Sequence, residues 1–244
     1  MQTNNQDNVW RRFFSFGGYA TILFIFMVIF DMILGIISGG QVDGFQTSSI
    51  NRFERLNQNI WLGLYQLDLL NVISQLISIP IYLSLYAALK QTNLPGSLFS
   101  LILFLIGTTI FVANNVALPM LDLSRKYFAA PEPQRSLLVA AGEALLARGA
   151  HGSPGAFFSF LLPTIAALMF SIVMLKGNAF SKPNAFLGIF GNILMLFYIY
   201  FVTFIPELKE LAIMLVMPAG LLLLGWLILI GIRLLKLGNS ANHP

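Results

Sequence analysis

The chain has 244 residues, of which 57% are hydrophobic and 10% charged, and its formal charge is +4. Its mean hydropathy of +0.79 leaves too little polar surface to cover a water-soluble fold, so the bilayer is its solvent. There is no cysteine, which excludes disulfides and thiolate metal sites, and the 14 Lys and Arg residues are scattered between apolar runs rather than gathered into a nucleic-acid groove.

Six apolar runs are long enough to cross a bilayer, near 13–37, 61–89, 97–118, 155–175, 185–205 and 211–235. The reading is therefore an all-α polytopic transmembrane bundle. Residues 1–12 form an N-terminal segment, 13–237 a single membrane domain and 238–244 a C-terminal tail. The first run follows Arg11-Arg12 and contains Asp31. It is longer than the roughly 7–15 apolar residues of a signal peptide and reads as a retained helix, not an export signal.

The second run is the most polar, with Gln66, Asp68, Asn71 and Gln75 inside it. A charge at mid-membrane costs at least ~2.5–3.5 kcal/mol on insertion scales, so Asp68 needs a partner, a water-filled cavity or a function. At about 100° per residue, Trp61, Tyr65, Asp68, Asn71, Gln75, Ser78 and Tyr82 share one helix face. Such a seam is either a packed bundle centre, whose amides bond across helices for ~0.6–2 kcal/mol each, or the lining of a cavity. Both readings stand at this point.

The third run ends in Asn114-Asn115 before Pro119, residues suited to satisfy carbonyls loosened near the proline. Two links are longer than the rest, 38–60 and 119–154. Within the second, residues 134–148 predict a short helix lying on the membrane surface, with Leu138, Ala141 and Leu145 on its apolar face and Glu143 solvated. His151, between Gly149 and Gly152, reads as a loop residue rather than a ligand. Tight turns are signalled by Thr92-Asn93-Leu94-Pro95-Gly96, Ser181-Lys182-Pro183-Asn184 and Pro206-Glu207. Gly188, Gly191 and Asn192 predict close helix packing in the fifth run. Phe13-Phe14-Ser15-Phe16 recurs as Phe157-Phe158-Ser159-Phe160, but the match ends there and no repeat is assigned.

Alternating span direction places the Asp31 end of the first run, the Asp68 end of the second and the Asn114-Asn115 end of the third on one side. The longer loops with Glu143 and His151, and Tyr198 and Tyr200, belong to that side too, so two acids, several amides and a histidine converge there. The predicted pocket, for a small solute or a cation, holds Asp31, Gln66, Asp68, Asn71, Gln75, Asn114, Asn115 and Glu143. Burial and a like charge predict that Asp31 or Asp68 is protonated or holds a cation near neutral pH, with Arg52, Arg55, Arg125 or Lys126 the basic residues able to reach in. Basic residues divide evenly between the two sides. Those beside short helix ends, with Arg11-Arg12 ahead of the first run, predict that both termini are cytoplasmic and that the pocket opens outward.

No His-Glu-x-x-His helix, phosphate-binding Gly-Lys-Ser/Thr loop or Gly-x-Ser-x-Gly elbow is present, and no catalytic residue is assigned. His151 and His243 are the only histidines, and a carboxylate metal site would require Asp31, Asp68 and Glu143 to meet, so neither a metal nor a cofactor is predicted. The expected partners are the lipid bilayer and a small solute or cation, with no nucleic acid.

Gly63-Leu64-Tyr65-Gln66-Leu67-Asp68-Leu69-Leu70-Asn71, Tyr82-Leu83-Ser84-Leu85-Tyr86-Ala87-Ala88-Leu89, Met120-Leu121-Asp122-Leu123-Ser124 and Ala140-Ala141-Gly142-Glu143-Ala144-Leu145 carry a resemblance. They are similar to a bacterial family of integral membrane proteins catalogued as a domain of unknown function, in the forty-three-hundreds of that series. The resemblance covers most of the chain and implies a compact multi-helix bundle in a bacterial plasma membrane. It implies no activity. Three classes remain open: a binding or transport protein built around the pocket, a structural or sensory subunit held by the seam, and a membrane-embedded hydrolase with Asp68 or Glu143 as base.

Overall fold

Glycine placement sets the helix packing. A Cβ on Gly18 would lie 2.7 Å from Leu235, one on Gly107 would strike Pro163, and one on Gly188 would strike Ser171 and Trp226. Without a hydrophobic drive between helices in lipid, such close approach is what holds spans together. The computed structural model describes residues 2–37 and 48–239; residue 1, residues 38–47 of the first long link, and 240–244, with His243 and most of the C-terminal tail, lie outside it.

The described residues form ten α-helices and no strand: α1 (Gln2–Ile37), α2 (Ser49–Gln58), α3 (Ile60–Tyr65), α4 (Leu69–Leu89), α5 (Leu94–Asn114), α6 (Ala117–Ala129), α7 (Glu132–Gly149), α8 (Phe157–Lys176), α9 (Lys182–Phe204) and α10 (Lys209–Asn239). Six helical segments are long and apolar enough to cross a membrane, and α1, α4, α5, α8, α9 and α10 supply their apolar cores. The predicted turns are in place: Asn93 caps α5 by accepting from the Gly96 N–H at 3.0 Å, and Ser181 caps α9 ahead of Pro183.

The spans close into a ring in the order α1, α4, α5, α8, α9, α10. Ser15 of α1 meets Gly238 of α10, so both ends of the described chain lie on one face of the ring, the terminal face. On that half the ring is filled by side chains: Leu85, Leu89, Phe170, Met174, Ile230 and Leu234 are fully buried together. Exposed apolar residues such as Phe26, Phe190 and Met217 point outward, as lipid contact requires.

The opposite face carries a cap of α2, α3, α6 and α7, with its own core of Phe53, Leu56, Leu64, Leu67, Val116, Ala117, Met120 and Leu146. Side chains tie it together: Ser124 Oγ donates to the Phe53 carbonyl at 2.9 Å, and Ser49 Oγ to that of Val139 at 3.0 Å. Charged residues on α6 and α7, among them Asp122, Arg125, Lys126, Arg135 and Arg148, keep these helices out of hydrocarbon.

Three boundaries differ from the sequence reading. The second span begins at Leu69, not residue 61, because α3 is a separate helix and the chain turns at Gln66–Asp68. Asp68 there takes the left-handed conformation (φ 62°), a position aspartate tolerates better than most residues. The third span ends at Asn114, and α6 follows where a loop was expected. Pro119 does not block α6, since it falls in the first turn, where the backbone N–H has no helical partner anyway. Finally, α7 contains the predicted 134–148 helix but packs against α2 and α6, burying Gly142 and Leu146 rather than the Leu138–Ala141–Leu145 face.

Candidate functional site

On the cap-side half the ring parts around a cavity of about 400 Å³, lined by all six spanning helices and by His151. From α4, Asn71, Ser74, Gln75, Ser78 and Tyr82 face it. The lower part of the predicted seam thus lines space rather than packing shut. Its upper part does not belong to the same helix: Trp61 is 81% exposed on α3, and Tyr65 turns to donate its hydroxyl to the Asp31 backbone carbonyl at 3.0 Å.

The polar groups gather at the cap end of the cavity. Asp31 reaches it from α1, Asn71 from α4, Tyr198 from α9, and His151 from the turn between α7 and α8. That turn fits because Gly149 passes against the Asn114 carbonyl, where a Cβ would collide, and Gly152 takes φ 76°. Asp68 sits directly behind this cluster, 5% exposed. Asn71 Nδ2 donates to its Oδ1 at 2.8 Å, and His151 Nδ1 lies 3.5 Å from its Oδ2. The other ring nitrogen of His151, Nε2, is 3.1 Å from the Tyr198 hydroxyl, and the Phe160 ring packs edge-on against the imidazole. An Asp68–His151–Tyr198 chain therefore joins α4, the turn and α9.

The two aspartates are not equivalent. Burial pushes the Asp68 carboxyl up, but His151, the Asn71 amide and the Arg52 charge outweigh burial and hold it below its ordinary value. Arg52, buried on α2, donates from Nη1 to the Gln66 carbonyl at 3.3 Å and to Gln66 Oε1 at 3.4 Å. Asp31 has fewer partners: Tyr65 and His151 act on its carboxyl, while its Oδ1 is buried without a hydrogen-bond partner among the described residues.

Of the eight residues predicted for the pocket, Asp31, Asn71 and Gln75 line the cavity and Asp68 backs it. The other four are placed elsewhere. Gln66 holds Arg52. Asn114 donates to the Gly155 carbonyl at 3.3 Å and accepts from Arg148 Nε at 3.2 Å, while Asn115 donates to the Leu67 carbonyl at 2.9 Å and caps α6 through the Ala117 N–H at 3.1 Å. Glu143 Oε1 accepts from the Ser49 N–H at 2.6 Å, pinning α7 to the start of α2. Gln66, Asn114 and Asn115 bond where one helix gives way to the next, and Glu143 joins the middle of α7 to the start of α2. Conversely, His151 reads from sequence as a loop residue and stands at the centre of the site, and Thr164 and Asn192 join the lining. No group of three or more His, Cys, Asp or Glu positioned for a metal occurs among the described residues.

The family model described as Domain of unknown function (DUF4386) matches residues 19–231. Neither a curated protein nor a solved structure matches the chain.

Proposed function

This chain belongs to the DUF4386 family, and we propose that it is a plasma-membrane binding or transport protein whose intramembrane cavity takes a cation, a proton or a small polar solute. One observation carries the reading: Asp31 borders the cavity with a buried, unpartnered carboxylate oxygen. An ionised carboxylate so placed is costly unless a positive charge or a proton joins it. Asn71, Gln75 and Tyr198 supply further hydrogen-bonding groups on the same lining.

The terminal face bears Arg11, Arg12, Lys90, Lys176, Lys182, Arg233 and Lys236 near the ends of the apolar spans, which supports a cytoplasmic placement of both termini and an outward cap. The packed half of the ring closes the cavity toward the terminal face, so passage across the membrane requires a second arrangement of the helices.

Melting of the purified protein, titrated with sodium, potassium and small ammonium salts at constant ionic strength, tests the reading. A ligand that binds only the folded state stabilises it by ~2.7 kcal/mol at a concentration about 100 times its Kd. We expect a saturable rise in melting temperature for at least one cation that is lost in Asp31→Asn. A rise of equal size in that variant contradicts the assignment of Asp31.

A further inference from the structure

We infer that the ligand of this cavity is a monovalent organic ammonium ion with an apolar body, its N–H donors directed to Asp31 and its body lying against the aromatic wall formed by Phe24, Tyr82 and Phe111. This rests on the reading of the cavity as a cation or solute site and specifies the chemistry of what enters it.

Charge is the first argument. Asp68 is matched by His151, the Asn71 amide and the Arg52 charge, whereas Asp31, beside Tyr65, presents one carboxylate whose Oδ1 no donor among the described residues reaches. One positive charge compensates one carboxylate. A divalent metal needs several hard oxygen ligands, and the described residues gather no such cluster. An anion, or a zwitterionic phospholipid headgroup with its phosphate, would bring further negative charge beside Asp31.

Size and lining argue against a bare inorganic ion. A volume of about 400 Å³ lies within the range of sites that hold small organic molecules, ~300–1,000 Å³. The cavity runs along α4 from Asn71 to Tyr82, a depth of ~16 Å at about 1.5 Å per residue. Polar groups crowd its cap end. Phe111 stands beside them, and beyond them the wall is mostly apolar, with Phe24, Ile81, Tyr82, Pro163 and Leu227 interrupted by Ser78, Asn192 and Trp226. Water alone would meet few protein partners along the apolar part of that wall. An alkyl or aryl body buries against it, and aromatic faces add a cation–π attraction of roughly 0.5–2 kcal/mol to a nearby ammonium.

The test is equilibrium binding to the full chain in nanodiscs with 2-phenylethylammonium as probe, and with 2-phenylethanol, sodium, potassium and calcium as competitors. We expect saturable, one-site binding of the ammonium, at least tenfold weaker competition by the neutral alcohol, and none by calcium. Asp31→Asn should raise the Kd at least tenfold and Phe111→Leu about threefold. The comparison of ammonium with alcohol needs no variant, so a misfolded mutant does not void it. If sodium or potassium binds through Asp31 and the ammonium neither binds nor competes, the organic ligand is overturned while the cation site stands. If the alcohol binds as tightly as the ammonium, the charge requirement is overturned while a solute pocket stands. Binding undiminished in both variants, or no saturable binding by any probe, overturns both.

Discussion

The two halves of the helix ring are built from the same six helices and differ in what fills them. Toward the terminal face, Leu85, Leu89, Phe170, Met174, Ile230 and Leu234 close the centre completely, and Gly17 and Gly18 let α1 approach Ser84 and Leu235. Toward the cap, the same helices turn Asp31, Asn71, Gln75, Thr164 and Tyr198 inward and leave a cavity. A cavity lined by so many polar groups within an otherwise packed bundle is suited to water or a ligand rather than to further side-chain packing. The packed half carries the fold, and the hollow half is free to carry function.

The largest effect is expected where the packed half is opened. Phe170 is fully buried and its ring packs edge-on against Tyr82, so Phe170→Ala should cost ~3–5 kcal/mol of unfolding free energy, read by denaturation in detergent. A loss under about 1 kcal/mol would erase the distinction between the halves.

Next comes the hinge between cap and ring. Asp68→Leu removes the carboxylate that Asn71 donates to and His151 faces, and places a branched side chain at a left-handed backbone position; a loss of about 3 kcal/mol is expected. Asp68→Asn keeps the bond network and suits the backbone, so its loss should be smaller, about 1–3 kcal/mol. Equal losses would mean that the hydrogen bonds of Asp68 add nothing beyond its charge to holding the cap in place.

A pH effect of smaller size follows from the same residue. The folded pKa of Asp68 is depressed, so its stabilisation is full above the unfolded value, ~3.9, and is lost as pH falls through the folded one. Melting temperature should therefore drop below about pH 4 in wild type, and the drop should shrink in Asp68→Asn. An unchanged acid limb in that variant contradicts the pairing. Least disruptive are compartment reporters fused to the two ends of the chain. Both should report the cytoplasm, and opposite answers would break the six-span ring.

How far these regions were legible beforehand depended on which physical signal each one uses. Spans are written in hydropathy, and turns in residues such as Asn93 and Ser181, so both were readable. The pocket line of Asp31, Asn71 and Gln75 was readable too, because polarity within apolar runs is rare. The cap was not. Its helices are short and amphipathic in their own small core, and Pro119 resembles a stop although it stands where α6 tolerates it. The buried face of α7 was misjudged by one residue, about 100° of rotation, because it turns Gly142, which carries no hydrophobic side chain to mark it, against α2. Asp68 looked like part of a continuous helix, since nothing local marks a left-handed turn there. The side of the membrane that holds His151 was legible, but not its contact with Asp68 and Tyr198, which depends on where the 149–155 turn crosses the ends of α5 and α7, a long-range contact with no sequence period.

Thiol accessibility tests the difference between the halves most directly, because the chain has no cysteine of its own. Ser78→Cys faces the cavity, whereas Ser84→Cys lies in the packed half, and both change only oxygen to sulfur on α4. The account predicts that a small thiol reagent modifies Cys at position 78 in the folded protein, that bound ligand slows the reaction at least tenfold, and that position 84 stays unreactive. Equal protection of both positions without ligand would contradict it, since the cavity would then be as closed as the core beneath it.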